Sequence, residues 1–351
     1  MSRAGQDGAK EDIIRTDMII IGAGPVGLFA VFEAGLLGLK CHLIDNLDRP
    51  GGQCTELYPE KPIYDIPSRP QVTGQELVED LMKQASPFEP VFHLGQQAES
   101  LVRQDNGLWR ITTSRGALIE APIVTVAAGA GSFVPKKPPY KKREEFEENS
   151  IDFAVHRREK YRDKNLVIVG GGDSALDWAM NLQSVARHIT LVHRREGFRG
   201  APDSEAQVKA MAAAGKIDLV IGQISDLIGD NGILSAVEIS PKEGESRITD
   251  CDYLLPFMGL KISLGPLSEW GFNLDHNHIT VEQSTFATKM PGLYAIGDVC
   301  TYPGKIKLIL TGFYEAAVMA HSAFQYAYPD RKMATGYTTT NSLIQERLGV
   351  K

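Results

Sequence analysis

Met18-Ile-Ile-Ile21 runs directly into Gly22-Ala-Gly24-Pro25-Val-Gly27, and the same grammar returns 148 residues later, where Leu166-Val-Ile-Val169 precedes Gly170-Gly-Gly172-Asp173-Ser174-Ala175. Each stretch reads as a buried strand, a tight glycine turn and the start of a helix. In such a turn the first glycine permits the change of direction, the second lets backbone approach a phosphate, and the third lets the helix pack on the strand. The helix N-terminus then offers unpaired N–H groups to a pyrophosphate. One match is weak. Two in one chain predict two dinucleotide sites on two α/β units.

Both units run on to a strand whose end is informative. After Gly22 come an apolar helix from Leu28 to Leu37 and the strand Cys41-His-Leu-Ile, ending at Asp45, 23 residues beyond Gly22. A carboxylate there accepts both hydroxyls of an adenosine ribose. After Gly170 come a helix from Ser174 to Leu182 and the strand His188-Ile-Thr-Leu-Val192, ending in His193-Arg194-Arg195, with His193 also 23 residues beyond its first glycine. The same slot is acidic in one copy and basic in the other. A carboxylate repels a 2′-phosphate, whereas an imidazole and two guanidinium groups are expected to bind one, arginine through charge-assisted bidentate bonds. The second site is therefore expected to prefer NADP over NAD, with Arg199 as a further phosphate partner. The alternative is a solvated basic turn.

Arg49-Pro-Gly51-Gly52-Gln53-Cys54 adds a second glycine pair that a plain NAD site does not need, and Gly292-Leu-Tyr-Ala-Ile-Gly297-Asp298 reads as a late buried strand ending in Gly-Asp. Together with the first turn, these segments resemble the FAD-binding half of the two-dinucleotide flavoprotein reductases. The expected architecture is two Rossmann-like three-layer domains, the NADP domain inserted in the FAD domain. The FAD domain would take residues 16–136 and 291–351, the NADP domain 137–290, and residues 1–15 would form a disordered leader. Pro135-Lys-Lys-Pro-Pro139 reads as a linker, and two crossings would make a hinge.

Composition narrows the function classes. A net charge of −7 argues against a nucleic-acid binder. No apolar run long enough to span a membrane occurs, and the polar N-terminus lacks the apolar core of a secretory signal. The four cysteines, Cys41, Cys54, Cys251 and Cys300, are scattered without C-x-x-C spacing. That pattern suits a reducing cytoplasm and offers no metal site. No cysteine follows Cys54 within ten residues and none lies in Ile151–Arg158. Without a dithiol relay, electrons would leave a flavin directly.

The combination of Gly-Gly-Gln53-Cys, Leu-Tyr58-Pro-Glu-Lys61-Pro-Ile-Tyr64-Asp65, Gly-Gly-Gly-Asp173-Ser-Ala, Leu-Val-His-Arg-Arg195 and Gly-Asp298-Val-Cys-Thr-Tyr-Pro-Gly304-Lys305 resembles the thioredoxin-reductase-like ferredoxin/flavodoxin–NADP reductases. The likeness runs from about residue 16 to the C-terminus. It implies FAD and NADPH/NADP as cofactors, hydride transfer between NADP(H) and FAD, and single electrons passed between FAD and ferredoxin or flavodoxin. No protein acid or base is needed, so no catalytic residue is assigned. Carried over by residue, Asp45 would bind the adenosine ribose, and Gln53 and Asp298 the middle of FAD. Tyr58 would stack on one flavin face, Ala98 would meet adenine through its backbone, and Phe133 would lie beside FAD. Tyr337 and Thr339, in Gly336-Tyr-Thr-Thr339, would cover the other face, from the partner subunit of a homodimer.

Basic residues crowd the stretch between the two turns: Lys136, Lys137, Lys141, Lys142, Arg143, Arg157, Arg158, Lys160, Arg162 and Lys164. They could meet an acidic ferredoxin, or form a solvated face with the interrupting Glu144, Glu145, Glu147 and Glu148. Two other activities fit the same cofactors: an NADPH oxidase or quinone-type flavin reductase, and an NADPH-sensing flavoprotein.

Overall fold

The computed structural model describes residues 12–333, 342–347 and 349–350. Strand β1 (Met18–Ile21) is wholly buried and leads through the glycine turn into α1 (Pro25–Leu36). Pro25 opens this helix, where a missing N–H forfeits no helical bond. β2 (Cys41–Ile44) follows, then α2 (Gly74–Ala85), β3 (Val91–His93) and β4 (Ile123–Val126). The second glycine turn joins β5 (Asn165–Val169) to α3 (Asp173–Leu182). Beyond it come β6 (His188–His193), α4 (Pro202–Ala213), β7 (Asp218–Asp230), β8 (Ile233–Pro241), β9 (Arg247–Asp250) and β10 (Tyr253–Pro256). The chain closes with β11 (Leu293–Ala295) and α5 (Ile309–Ala327).

These elements form two compact units. The first runs to Thr55, resumes over Pro62–Ser132, and takes the chain again from Ser263; the second comprises Glu56–Lys61 and Phe133–Ile262. The first unit holds a parallel sheet in the order β11-β4-β1-β2-β3. Every residue of β1, β4 and β11 is buried, as strands covered on both faces require. The second unit's sheet has the order β9-β8-β7-β6-β5-β10. β7, β6, β5 and β10 run parallel, while β8 and β9 extend the sheet antiparallel. In both units the helix after the first strand leads to one neighbouring strand while a later strand docks on the other side. The glycine turn therefore sits at the sheet's switch point, outside the carboxyl ends of the strands, where such sheets bind ligands.

Three details of the threading differ from expectation. The return to the first unit falls at Ser263 rather than 291. Residues 263–290 carry no strong strand pattern, but they pack on the first unit. Trp270 Nε1 donates to Glu99 O at 3.3 Å, His278–Thr280 pairs with Cys300–Thr301, and Ala295 N–H donates to Phe286 O at 3.1 Å. Glu56–Lys61 belongs to the second unit, so the chain passes between units four times, not twice. Glu60 Oε2 accepts the Arg158 N–H at 2.6 Å, and Lys61 Nζ lies 2.5 Å from Asp177 Oδ2. Finally, Ile13–Arg15, placed in a disordered leader by the sequence reading, is a strand parallel to Leu118–Ala121. Two apolar residues and an Arg15–Glu120 pair at 3.3 Å hold it there.

Among the described residues, no helix is long and apolar enough to cross a membrane.

Candidate dinucleotide-binding sites

The three glycines of the first turn answer to different neighbours. Gly22 has φ +108°, and a Cβ there would lie 2.3 Å from Ala127 O. A Cβ on Gly27 would lie 2.0 Å from Gly22 O. The fold itself demands both. Gly24 has an ordinary extended backbone, φ −73° and ψ −179°, and a Cβ there would meet no protein atom within 4 Å. Its open face, at the cap of α1, fits the close approach of a phosphate. Gly52 comes alongside: a Cβ on it would sit 3.2 Å from Gly24 Cα, and Gly51 N–H donates to Ala23 O at 2.8 Å. Gln53 opens a short helix, Gln53–Glu56, with its Nε2 3.8 Å from where a Gly129 Cβ would stand. Asp298 occupies the 3-10 turn Gly297–Val299, which rests on Val26 of α1.

Asp45 closes the other side. Its Oδ2 accepts the Ala23 N–H at 2.7 Å and its Oδ1 the Leu47 N–H at 2.9 Å. Burial raises its pKa above the usual carboxylate range, opposed by these amide bonds. Its backbone oxygen accepts the Gln96 N–H at 3.0 Å, two residues before Ala98. The first unit thus gathers Gly22, Gly24, Pro25, Gly27, Asp45, Gly52, Gln53, Ala98 and Asp298, from five separate stretches of chain, around one switch point.

The second turn repeats the first in register. Gly22 N–H donates to Ile44 O at 2.9 Å, and Gly170 N–H donates to Val192 O at 3.1 Å. A Cβ on Gly170 would lie 2.5 Å from Phe257 O, which replaces Ala127 O. Ala175 stands in the place of Gly27, and Gly172, like Gly24, would place a Cβ in open space. Asp45 and His193 therefore occupy one and the same structural slot.

What fills the slot changes its surroundings. In the first unit the acid holds the Ala23 amide. In the second, the counterpart Gly171 lies under the imidazole, and a Cβ there would be 2.2 Å from His193 Cε1. The ring stacks on Phe198 at 4.9 Å, lies within 3.3 Å of Gly197 O through Nε2, and is 8% exposed. Burial holds its pKa below the usual histidine range; the charges of Arg194, Arg199 and Arg195 act in the same direction, and the Gly197 carbonyl against them. His193 is thus a neutral floor at pH 7. Positive charge comes from the exposed Arg194, Arg195 and Arg199, none of which has a carboxylate partner among the described residues. Arg199 N–H donates to Gly171 O at 2.6 Å and Ala201 N–H to Asp173 Oδ1 at 2.8 Å. These bonds fold the arginine loop against the first turn of α3, which carries Asp173 and Ser174.

A depressed histidine pKa gives a signed expectation. The unfolded chain binds this proton more readily than the folded one. The stability tied to His193 is therefore full above about pH 6.5 and is lost as pH falls through the folded pKa. In urea unfolding, His193→Asn should lose less stability between pH 7 and pH 5 than the parent chain. Equal slopes would mean that the imidazole protonates freely in the fold.

Two further expected residues, Tyr58 and Phe133, fall in the second unit. Tyr58 is half-buried against the core that contains Trp178 and Leu182. Phe133 lies in the strand Ser132–Pro135, paired with Leu260–Ser263. Tyr337 and Thr339 fall outside the described residues. Half of the basic run is matched by nearby acids. Lys137 and Arg143 pair with Glu147, Lys160 with Asp152, Arg162 with Glu159 and Lys164 with Asp252. Glu315, the sole carboxylate of the 19-residue helix α5, was given no role in the sequence reading.

Two glycine turns at two switch points, one slot holding a carboxylate and the other flanked by three exposed arginines, define an oxidoreductase that handles two dinucleotides. The chain belongs to the pyridine nucleotide-disulphide oxidoreductase family, matched over residues 16–322. It is 54% identical over 339 residues to a Ferredoxin--NADP reductase of Bradyrhizobium sp. (strain BTAi1 / ATCC BAA-1182), covering 97% of this chain and 99% of that one. It is 53% identical over 340 residues to the protein of the same name from Parvibaculum lavamentivorans, again covering 97% and 99%. Its fold is that of thioredoxin reductase from Lactococcus lactis (TM-score 0.72, 22% identity, 90% of this chain and 99% of that one) and from T. acidophilum (TM-score 0.73, 20% identity, 89% and 98%). The disulphide in the family's description has no counterpart here: all four cysteines are buried thiols outside any disulfide.

Proposed function

We propose that the protein is an FAD-dependent ferredoxin–NADP reductase, moving hydride between NADP(H) and FAD and single electrons between FAD and ferredoxin or flavodoxin. The observation that carries this reading is the shared slot, Asp45 in one copy and His193 with its arginines in the other, at the same register of two matching turns. Bound FAD supplies the conversion between two-electron and one-electron chemistry. The chain's own residues supply placement. Gly24, Gly52 and the α1 N-terminus receive the FAD diphosphate, Asp45 its ribose, and Gln53 and Asp298 its middle. Gly172 and the α3 N-terminus, with Asp173 and Ser174, receive the NADP diphosphate, and Arg194, Arg195 and Arg199 its 2′-phosphate. Tyr58, Phe133, Tyr337 and Thr339 line the flavin in this reading, the last two from the partner subunit of a homodimer, and the enzyme works in the cytoplasm.

Cys41, Cys251 and Cys300 take no part. Burial pushes the Cys251 thiol up to about 12 and raises those of Cys41 and Cys300 as well. They stay protonated at neutral pH, and it is the thiolate that reacts with disulfides.

The test begins with the visible spectrum of the purified protein. A flavin spectrum that bleaches with anaerobic NADPH, followed by cytochrome c reduction only when ferredoxin or flavodoxin is added, is the expected result. Fast turnover with oxygen or quinone alone would replace this reading with an oxidase or quinone reductase. Tight NADPH binding without turnover would replace it with a sensor.

A further inference from the structure

Glu315 projects from α5 into the interior of the first unit, and its side chain is fully buried. Four donors converge on it. Oε2 accepts the Gly297 N–H at 2.6 Å and faces Cys300 Sγ at 3.6 Å. Oε1 accepts the Tyr302 hydroxyl at 2.8 Å and pairs with Lys305 Nζ. The Lys305 side chain is itself only 5% exposed, and its ammonium lies 5.5 Å from the centre of the Tyr302 ring. A buried carboxylate persists only when its charge and lone pairs are matched, and here all four partners come from the nine residues 297–305. This segment follows β11 and carries Asp298. One carboxylate thus gathers the whole connection between β11 and α5.

The connection is also fixed from its other side. Gly297 has φ +76°, and a Cβ there would stand 3.5 Å from both Val26 Cγ atoms. A Cβ on Gly312 would lie 2.3 Å from Val26 Cγ2, so α5 and the Gly297 turn both bear on the first turn of α1. The Gly297–Asp298 turn is fixed by two contacts: Val26 beside Gly297, and Glu315 holding the Gly297 amide.

We propose that Glu315, with Lys305 as counter-ion, is a positioning residue that holds the Gly297–Asp298 turn where it receives FAD. This rests on the reading of the first unit as the FAD site. Lys305 cancels a negative charge that would otherwise stand beside the Asp298 turn.

The test compares the parent chain with Glu315→Gln, which keeps an acceptor for Gly297 but leaves Lys305 without its counter-charge. A second variant, Glu315→Leu with Lys305→Met, removes the pair as a unit, an exchange that preserves folding in buried ion pairs elsewhere. Each apoprotein is titrated with FAD by flavin fluorescence, the loaded protein's visible spectrum is recorded, and urea midpoints are measured without FAD. Removing outer-shell partners at metal sites costs about 10- to 100-fold in affinity; by analogy a rise of that order in the Kd for FAD is expected in both variants, with altered fine structure in the flavin band. A lowered urea midpoint with parental Kd and spectrum would make Glu315 merely structural and overturn the proposal. If Glu315→Gln does not fold, the double variant decides by the same Kd. A parent chain that takes up no FAD would instead overturn the cofactor reading itself.

Discussion

Replacing Arg194 and Arg195 together by alanine is expected to raise the KM for NADPH by about 10- to 100-fold and to leave that for NADH nearly unchanged. A hydrogen bond to a charged group contributes about 1.5–3 kcal/mol, and each 1.4 kcal/mol is tenfold. NADH lacks the 2′-phosphate and has nothing to lose. The structure sharpens which side chains should matter. The imidazole of His193 is packed between Gly171 and Phe198 and held neutral, so it shapes the slot and brings no charge to a phosphate. The guanidinium groups stand exposed beside it. Arg199 is tied by its backbone to Gly171 O, and Arg199→Ala should give a smaller rise of the same selectivity. Steady-state kinetics with both nucleotides decides the matter: a double variant that keeps the parental preference for NADPH would reduce the arginines to a solvated turn.

The parts of this architecture that were legible in the sequence are those set by local steric demands. The positive φ of Gly22 and Gly170 and the near-contact of Gly27 with Gly22 O leave glycine little alternative, so the turns announce themselves. The 23-residue spacing proved structural because the same hydrogen bond, from the first glycine to the last residue before the slot, closes both turns. What was not legible depends on distant partners. Lys61 and Glu60 draw their segment into the second unit through Asp177 and the Arg158 amide, contacts about a hundred residues away in sequence. The return at Ser263 rests on Trp270 reaching Glu99, which no periodicity records. The sequence left the basic run open between a docking surface and a solvated face, and Glu147 and Asp152 match part of its charge. Glu315 did leave a trace, the sole acid of its helix. Its role needed the four donors of the 297–305 segment to be seen around it.

Valine at Gly172 and alanine at Gly22 should part folding from binding completely. At Gly22 the fold supplies the objection: φ +108° and a Cβ 2.3 Å from Ala127 O. The left-handed backbone alone costs a non-glycine residue about 1–3 kcal/mol. With the overlap added, the loss should reach about 4 kcal/mol, the range in which single changes unfold domains. Gly172→Val meets no such objection, because the backbone is extended, φ −103° and ψ 178°, and the Cβ points into open space. Its cost to the fold should be about 1 kcal/mol, the difference between glycine and valine at a helix cap. The open face is nonetheless where the NADP diphosphate must come. Branched methyl groups there remove two or more charge-assisted bonds, which corresponds to about 100-fold or more in the KM for NADPH. Flavin content should stay at the parental level, since the first turn is untouched. Gly24→Val, at the matching cap of α1, should do the converse, sparing the fold and abolishing flavin uptake. If Gly172→Val lost flavin and kept NADPH, the two turns would have to exchange ligands, and the acidic and basic slots would no longer distinguish them. The paired variants therefore test the internal comparison on which the assignment stands, with each turn serving as the other's control.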